Sequence, residues 1–102
     1  MVVTIFRSRI RDGADMAAIE AAGGRMYELA SAMPGFVSYK DYTAADGESV
    51  AIVEFADEAS VLAWRNHPEH REVQERGRKE FMSEYRIQVC QALRDYSFNG
   101  KG

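Results

Sequence analysis

The order of its strand and helix patterns is the feature that most limits how this chain can fold. Four segments have the composition and alternation of β-strands, at residues 2–10, 36–43, 50–55 and 85–93. Apolar residues recur at helical spacing between the first and second of these segments and between the third and fourth. The resulting β-α-β-β-α-β order predicts an α+β, ferredoxin-like split βαβ fold, with a four-stranded antiparallel sheet and helices on one face.

The first strand has apolar side chains on both of its faces. Val3 and Ile5 share a face with Arg7, whereas Val2 and Phe6 lie on the opposite face. The helices can cover only one of the two faces of the sheet, so the other face needs a different cover. A second copy of the sheet is the simplest one, and we therefore expect a homodimer that closes a dimeric α/β barrel.

Two glycines interrupt the first predicted helix, which spans residues 16–33. Each of Gly23 and Gly24 costs about 1 kcal/mol relative to alanine inside a helix, so a close packing contact or a kink is expected there. Strict alternation in the second strand places Phe36 and Tyr39 on opposite faces. The last strand is expected to continue into residues 94–98.

The second helical region contains a break at Pro68. The residue before a proline avoids the α region, so a short helix must end near His67 and a new one begins at Pro68 and continues to about Phe81. The only tryptophan, Trp64, and both histidines lie within residues 63–70 around this break.

Composition and charge limit the function classes. The 102 residues suit one domain, expected at residues 1–98 with a disordered tail at 99–102. A net charge of −3 argues against a nucleic-acid surface, and no apolar run approaches the roughly 20 residues of a membrane span. The first residues lack the features of a signal peptide, and the single Cys90 fits a reducing compartment, so we expect a cytoplasmic protein.

His70, His67 and Trp64 are the candidate catalytic residues. His70 lies in the first turn of a predicted helix, where the helix dipole favours a neutral imidazole that can act as a base. His70 could instead be an ordinary surface residue. His67 could instead cap that helix, and Trp64 could belong to the core. Two histidines without an acidic or cysteine companion at matching spacing predict no metal site.

Arg7, Tyr39 and Tyr85 are the candidate substrate-binding residues. If Arg7 points inward it could bind an anionic substrate or pair with Glu54, and if it points outward it contributes to solubility. The two tyrosines could donate hydrogen bonds to a phenolate oxygen, or they could be ordinary aromatic residues of a sheet.

Five short motifs, in this order and spacing, resemble the antibiotic biosynthesis monooxygenase (ABM) family. They are Met33–Phe36, Asp46–Gly47, Val53–Phe55, Ala63–His70 and Glu84–Cys90. The resemblance spans about residues 2–96 and implies a dimeric α+β barrel with a cavity between sheet and helices in each subunit. The family includes cofactor-free oxygenases of polycyclic phenols, quinol oxygenases and haem-degrading monooxygenases.

The resemblance implies a function that needs no cofactor. Trp64 matches the tryptophan of the haem-degrading branch, but Arg7 stands where that branch has asparagine and Gln74 where it has the haem-ligating histidine. The expected function is therefore cofactor-independent oxidation of a small aromatic, phenolic or quinol-like metabolite by dioxygen. The alternative is a non-catalytic dimeric module that binds a small ligand or handles stress metabolites.

Overall fold

A computed structural model describes residues 1–100 of the 102-residue chain. In chain order its elements are β1 (Val2–Ile10), α1 (Met16–Ser31), β2 (Phe36–Thr43), β3 (Ser49–Phe55), α2 (Glu58–Arg65), α3 (Pro68–Arg76), a π-helical segment (Gly77–Phe81) and β4 (Met82–Gln91). The strands form one sheet in the order β2-β3-β1-β4, and every neighbouring pair is antiparallel. The predicted α+β ferredoxin-like fold is confirmed. None of the helices within residues 1–100 has the length and apolar character needed to cross a membrane.

Side-chain caps fix where the helices begin. The Asp15 carboxylate accepts a hydrogen bond from the Ala18 backbone N–H at 3.1 Å, and the Asp57 carboxylate accepts one from Ser60 at 2.8 Å. Each cap satisfies one of the N–H groups that a helix start leaves without a partner. Pro68 occupies the first turn of α3, so the predicted break between α2 and α3 is confirmed.

The core lies at one end of the layer between sheet and helices. Phe55 of β3 and Ala30 of α1 are fully buried, and Val61 of α2 is 6% exposed beside them. The Phe36 ring meets Phe55 edge-to-face with centroids 5.9 Å apart. Burial of this apolar surface is the main term that holds the two helical regions to the sheet.

The second strand contains an irregularity that alternation did not predict. The pairing of β2 with β3 shifts register between Phe36 and Ser38, which is a β-bulge. As a result Phe36 and Tyr39 both contact the ring of Tyr27 on α1, with centroids 6.4 and 5.8 Å apart. The prediction that they lie on opposite faces is wrong, because the extra residue reverses the alternation.

The last strand differs from its predicted bounds at both ends. It begins at Met82 because β1 is long enough to pair Ile10 with Met82, and the Arg11 N–H bonds the Phe81 carbonyl at 2.8 Å just beyond. It ends at Gln91, so Leu93 lies outside the sheet with 90% of its surface exposed, and residues 94–98 do not extend the strand. Of the predicted tail at 99–102, residues 101–102 lie outside the described part of the chain.

The two glycines of α1 do not make the expected packing contact. α1 is continuous over Met16–Ser31, and a Cβ atom added at Gly23 or Gly24 would find no atom within 4 Å. Gly35 provides the contrast, because its φ of +82° and the Ser60 side chain next to it leave no room for a Cβ. The glycines of α1 are therefore not explained by close packing of this chain.

Candidate functional site

A half-open cavity of about 880 Å³ lies between the helix-side face of the sheet and the helices. Its apolar and aromatic walls come from every strand and helix, and they include Phe6, Ile19, Met26, Tyr27, Tyr39, Val53, Trp64, Val73, Phe81, Ile87 and Val89. A concave, mostly apolar space with a few polar groups is the usual form of a small-molecule site. Its volume falls in the upper part of the roughly 300–1,000 Å³ range of such pockets.

Trp64 and His70 form a stacked pair in the cavity wall. Their ring centroids are 4.0 Å apart and their planes differ by 11°. Trp64 is only 7% exposed and belongs to the core cluster as well as to the cavity wall. His70 is half-buried and also lines the cavity. The break at Pro68 makes this stack possible, because it turns α3 so that its first turn lies against α2.

The hydrogen bond of His70 determines which of its ring nitrogens carries the proton. Nδ1 lies 3.0 Å from the Trp64 carbonyl oxygen, and a carbonyl oxygen only accepts, so Nδ1 must donate. In the neutral ring Nε2 is then unprotonated and can accept a proton. Burial lowers the pKa of His70 below its ordinary 6.5, and the nearby His67 adds to this effect, whereas the Trp64 carbonyl opposes it. His70 is thus a neutral imidazole at neutral pH.

His67 has a different environment although it is only three residues away. Its Nδ1 accepts a hydrogen bond from the Glu69 backbone N–H at 3.2 Å, which caps α3, as the capping interpretation predicts. Its ring is tilted 49° against Trp64 at 6.2 Å, and the cavity wall does not include it. His67 therefore holds the start of α3, while His70 faces the cavity.

The two candidate tyrosines both line the cavity. Burial raises the pKa of Tyr39, with a smaller contribution from Asp41, so its hydroxyl stays protonated and can donate. Tyr85 lies on the edge strand β4, where its ring contacts Phe6 at 5.7 Å and its hydroxyl accepts a hydrogen bond from Arg78 at 3.3 Å.

Arg7 lies on the other face of the sheet. Its guanidinium binds Glu48 through Nε and Nη2 at 3.2 and 3.3 Å, rather than Glu54. It lines a separate depression of about 300 Å³ together with Arg86 and Glu84. Gln74, in contrast, lines the large cavity.

Sequence reasoning did not assign several residues of the cavity wall to a binding site. Glu20, Gly23, Gly24 and Tyr27 follow one another at helical spacing along α1, and Asp41 lies on β2. The signal was available in the i, i+3, i+4, i+7 pattern of α1, but that pattern also fits a helix packed on a core. Within residues 1–100 no group of three or more His, Cys, Asp or Glu side chains is placed to hold a metal ion.

This geometry defines a small α+β protein with a ligand-sized cavity between its sheet and its helices. The family model for antibiotic biosynthesis monooxygenase matches residues 1–76, which is most of the chain. The chain therefore belongs to the antibiotic biosynthesis monooxygenase family.

Individual relatives agree with this assignment. The chain is 30% identical over 74 residues to the uncharacterized protein YqjZ of Bacillus subtilis, a match that spans 72% of this chain and 65% of that relative. The structure of Rv0793 from Mycobacterium tuberculosis superposes with a TM-score of 0.82 at 24% identity, covering 94% of this chain and 98% of the other. SnoaB of Streptomyces nogalater, described as a cofactor-independent oxygenase, has a TM-score of 0.78 at 18% identity, with 92% and 94% covered. At these identities the two structures support the shared fold.

Proposed function

We propose that this protein is a cofactor-independent oxygenase that oxidises a small aromatic, phenolic or quinol-like metabolite with dioxygen. The observation that supports this function most is His70, a neutral imidazole stacked on Trp64 in the wall of an apolar cavity. Membership of the family and the likeness to SnoaB, itself described as cofactor-independent, support the same chemistry.

The proposed mechanism begins with a proton transfer. Nε2 of His70 accepts the proton of an electron-rich phenol or its keto tautomer, and the apolar walls exclude the water that would otherwise solvate the anion. The Tyr39 hydroxyl, kept protonated by burial, donates a hydrogen bond to the developing negative charge.

Dioxygen then reacts with the substrate carbanion. When a ring CH₂ becomes a carbonyl, the substrate supplies four electrons, one oxygen atom enters the product and the other leaves as water. The balance needs no external reductant. Arg7 takes no part in this proposal, because its guanidinium is held by Glu48 on the opposite face of the sheet.

The same opposite face supports the proposal of a homodimer. It carries Val3, Ile5 and Ile52 next to one another across β1 and β3, and none of the helices in residues 1–100 lies over this face. A second copy would bury these side chains through an isologous interface. Light scattering in dilute solution tests this, and a monomer mass would contradict it. We also propose a cytoplasmic location, which suits the exposed, unpaired thiol of Cys90.

A non-catalytic ligand-binding module is the second candidate. Across residues 1–100 no carboxylate forms a hydrogen bond with His70. The imidazole therefore has no acidic partner to orient it, as the histidine of a catalytic triad has. A preformed cavity without turnover would serve to bind and carry an aromatic ligand.

Dioxygen consumption separates the two functions. We would supply anthrone and dihydroxyarenes in air to chelator-treated protein and compare wild type with His70→Gln and His67→Asn, using Arg71→Gln as a surface control. The oxygenase proposal expects uptake well above buffer that falls in His70→Gln and persists in His67→Asn, which keeps a capping side chain. Uptake no faster than buffer would contradict it, and calorimetric binding of the same compounds would then favour the carrier.

A further inference from the structure

The middle of α1 contains an unexplained feature, the pair Gly23–Gly24. Glycine is the least favourable helix residue after proline, yet both positions lie inside a continuous 16-residue helix. The usual reasons for glycine are absent, because neither residue has a positive φ and a Cβ atom at either position would have no neighbour within 4 Å. The folded chain alone gains nothing from the missing side chains.

Both glycines line the large cavity. Ile19 and Glu20 precede the glycines along the cavity wall, and Met26, which follows them, is buried but also borders the cavity. The glycines therefore lie within the stretch of α1 that covers the cavity. Because they have no side chains, they leave space in the cavity for a ligand.

We propose that Gly23 and Gly24 determine the size of the ligand, by leaving a flat stretch of helix backbone against which a planar hydroxyarene of two or three fused rings can lie. This inference rests on the proposed function, because it places the same substrate class in the same cavity. The inference adds that α1, in addition to the Trp64–His70 pair, determines how many fused rings the ligand can have. On this proposal, binding of a one-ring phenol is insensitive to substitutions at the two positions.

Substitution by alanine tests whether the space is open. Because a Cβ would meet nothing at either position, Gly23→Ala and Gly24→Ala should each raise the Tm by about 4–8 °C. A Tm that stays the same or falls would show that the glycines are required by packing, and would overturn the inference whatever the ligand.

Substitution by leucine tests ring selection. The probes are phenol, 1-naphthol and anthrone, measured without oxygen by calorimetry and by quenching of Trp64, the only tryptophan in the chain. In Gly24→Leu we expect anthrone binding to weaken on the order of tenfold, with phenol binding close to wild type. Ala21→Leu is the matched control, since it adds the same side chain at an exposed position of α1 outside the cavity wall.

The outcomes distinguish this inference from the proposed function. Wild-type binding of anthrone with an unchanged profile in folded Gly24→Leu overturns the inference alone. Equal weakening of all three probes also overturns it, because the leucine would then block the cavity rather than select for ring number. Failure of the wild type to bind any of the three overturns the proposed substrate class and this inference together.

Discussion

The layer between the sheet and the helices is filled differently at its two ends. At the packed end Phe55 and Ala30 are fully buried, whereas Ile87 and Val89 of β4, which line the cavity at the open end, are 41% and 55% exposed. Apolar side chains cover the sheet at both ends. The comparison indicates that the same kind of apolar face stabilises the fold where the helices contact it and can bind a ligand where they do not.

The largest expected effect separates the two ends by stability. Phe55→Ala should lower the free energy of unfolding by about 3–5 kcal/mol, because it opens a cavity among fully buried neighbours. Ile87→Ala, in the wall of the existing cavity, should cost much less because its side chain is already partly solvated. Urea unfolding followed by circular dichroism measures both, and equal losses would contradict the distinction between a packed and an open end.

The second prediction concerns the pH dependence of the open end. The base is the neutral form of His70, and burial lowers its pKa below 6.5, so kcat/KM should rise with pH through a pKa below 6.5 and then stay level through neutrality. His70→Gln should lower the level region on the order of 10²–10⁴-fold and remove that acidic limb. An acidic limb that persists in the variant would assign the titration to another group.

A third, smaller effect concerns the contribution of the His67 cap to stability. His67→Ala should destabilise the protein by about 1 kcal/mol, because it removes the acceptor for the Glu69 N–H at the start of α3. His67→Asn should restore most of this loss, since asparagine is a good N-cap. Thermal unfolding measures the difference, and identical Tm values for both variants would show that the cap contributes little.

The smallest effect is expected from an ion pair that joins the two helical walls. Arg25 of α1 binds both carboxylate oxygens of Glu69 on α3, at 2.6 and 3.1 Å. Both side chains are exposed and salt screens the pair, so Arg25→Ala should leave the Tm close to wild type. Arg25→Glu should be worse than Arg25→Ala at low salt and be rescued by Glu69→Arg. If the Tm of none of these variants depends on salt concentration, the ion pair does not contribute to stability.

The features that the sequence predicted have local causes, whereas the features that it missed depend on how the elements pair and pack. The periodicity of the apolar residues and the break at Pro68 are local in the sequence, so the order of the elements and the start of α3 could be predicted. The bulge at Phe36–Ser38 could not, because one extra residue in a strand leaves the composition unchanged. The cavity was expected only through the family resemblance, since the same apolar pattern on α1 fits a filled and an unfilled space. The face on which Arg7 lies could not be predicted either, because it depends on how β1 is oriented in the sheet.

The central claim is that a phenolic ligand enters the open end and meets Nε2 of His70. Long-range ¹H–¹⁵N spectra of the two imidazoles, recorded while 1-naphthol is added without oxygen, test it directly. The free protein should show an unprotonated Nε2 on His70, and ligand should shift this nitrogen while leaving His67 unchanged. Saturating naphthol that leaves His70 unperturbed, or that shifts only His67, would contradict the claim.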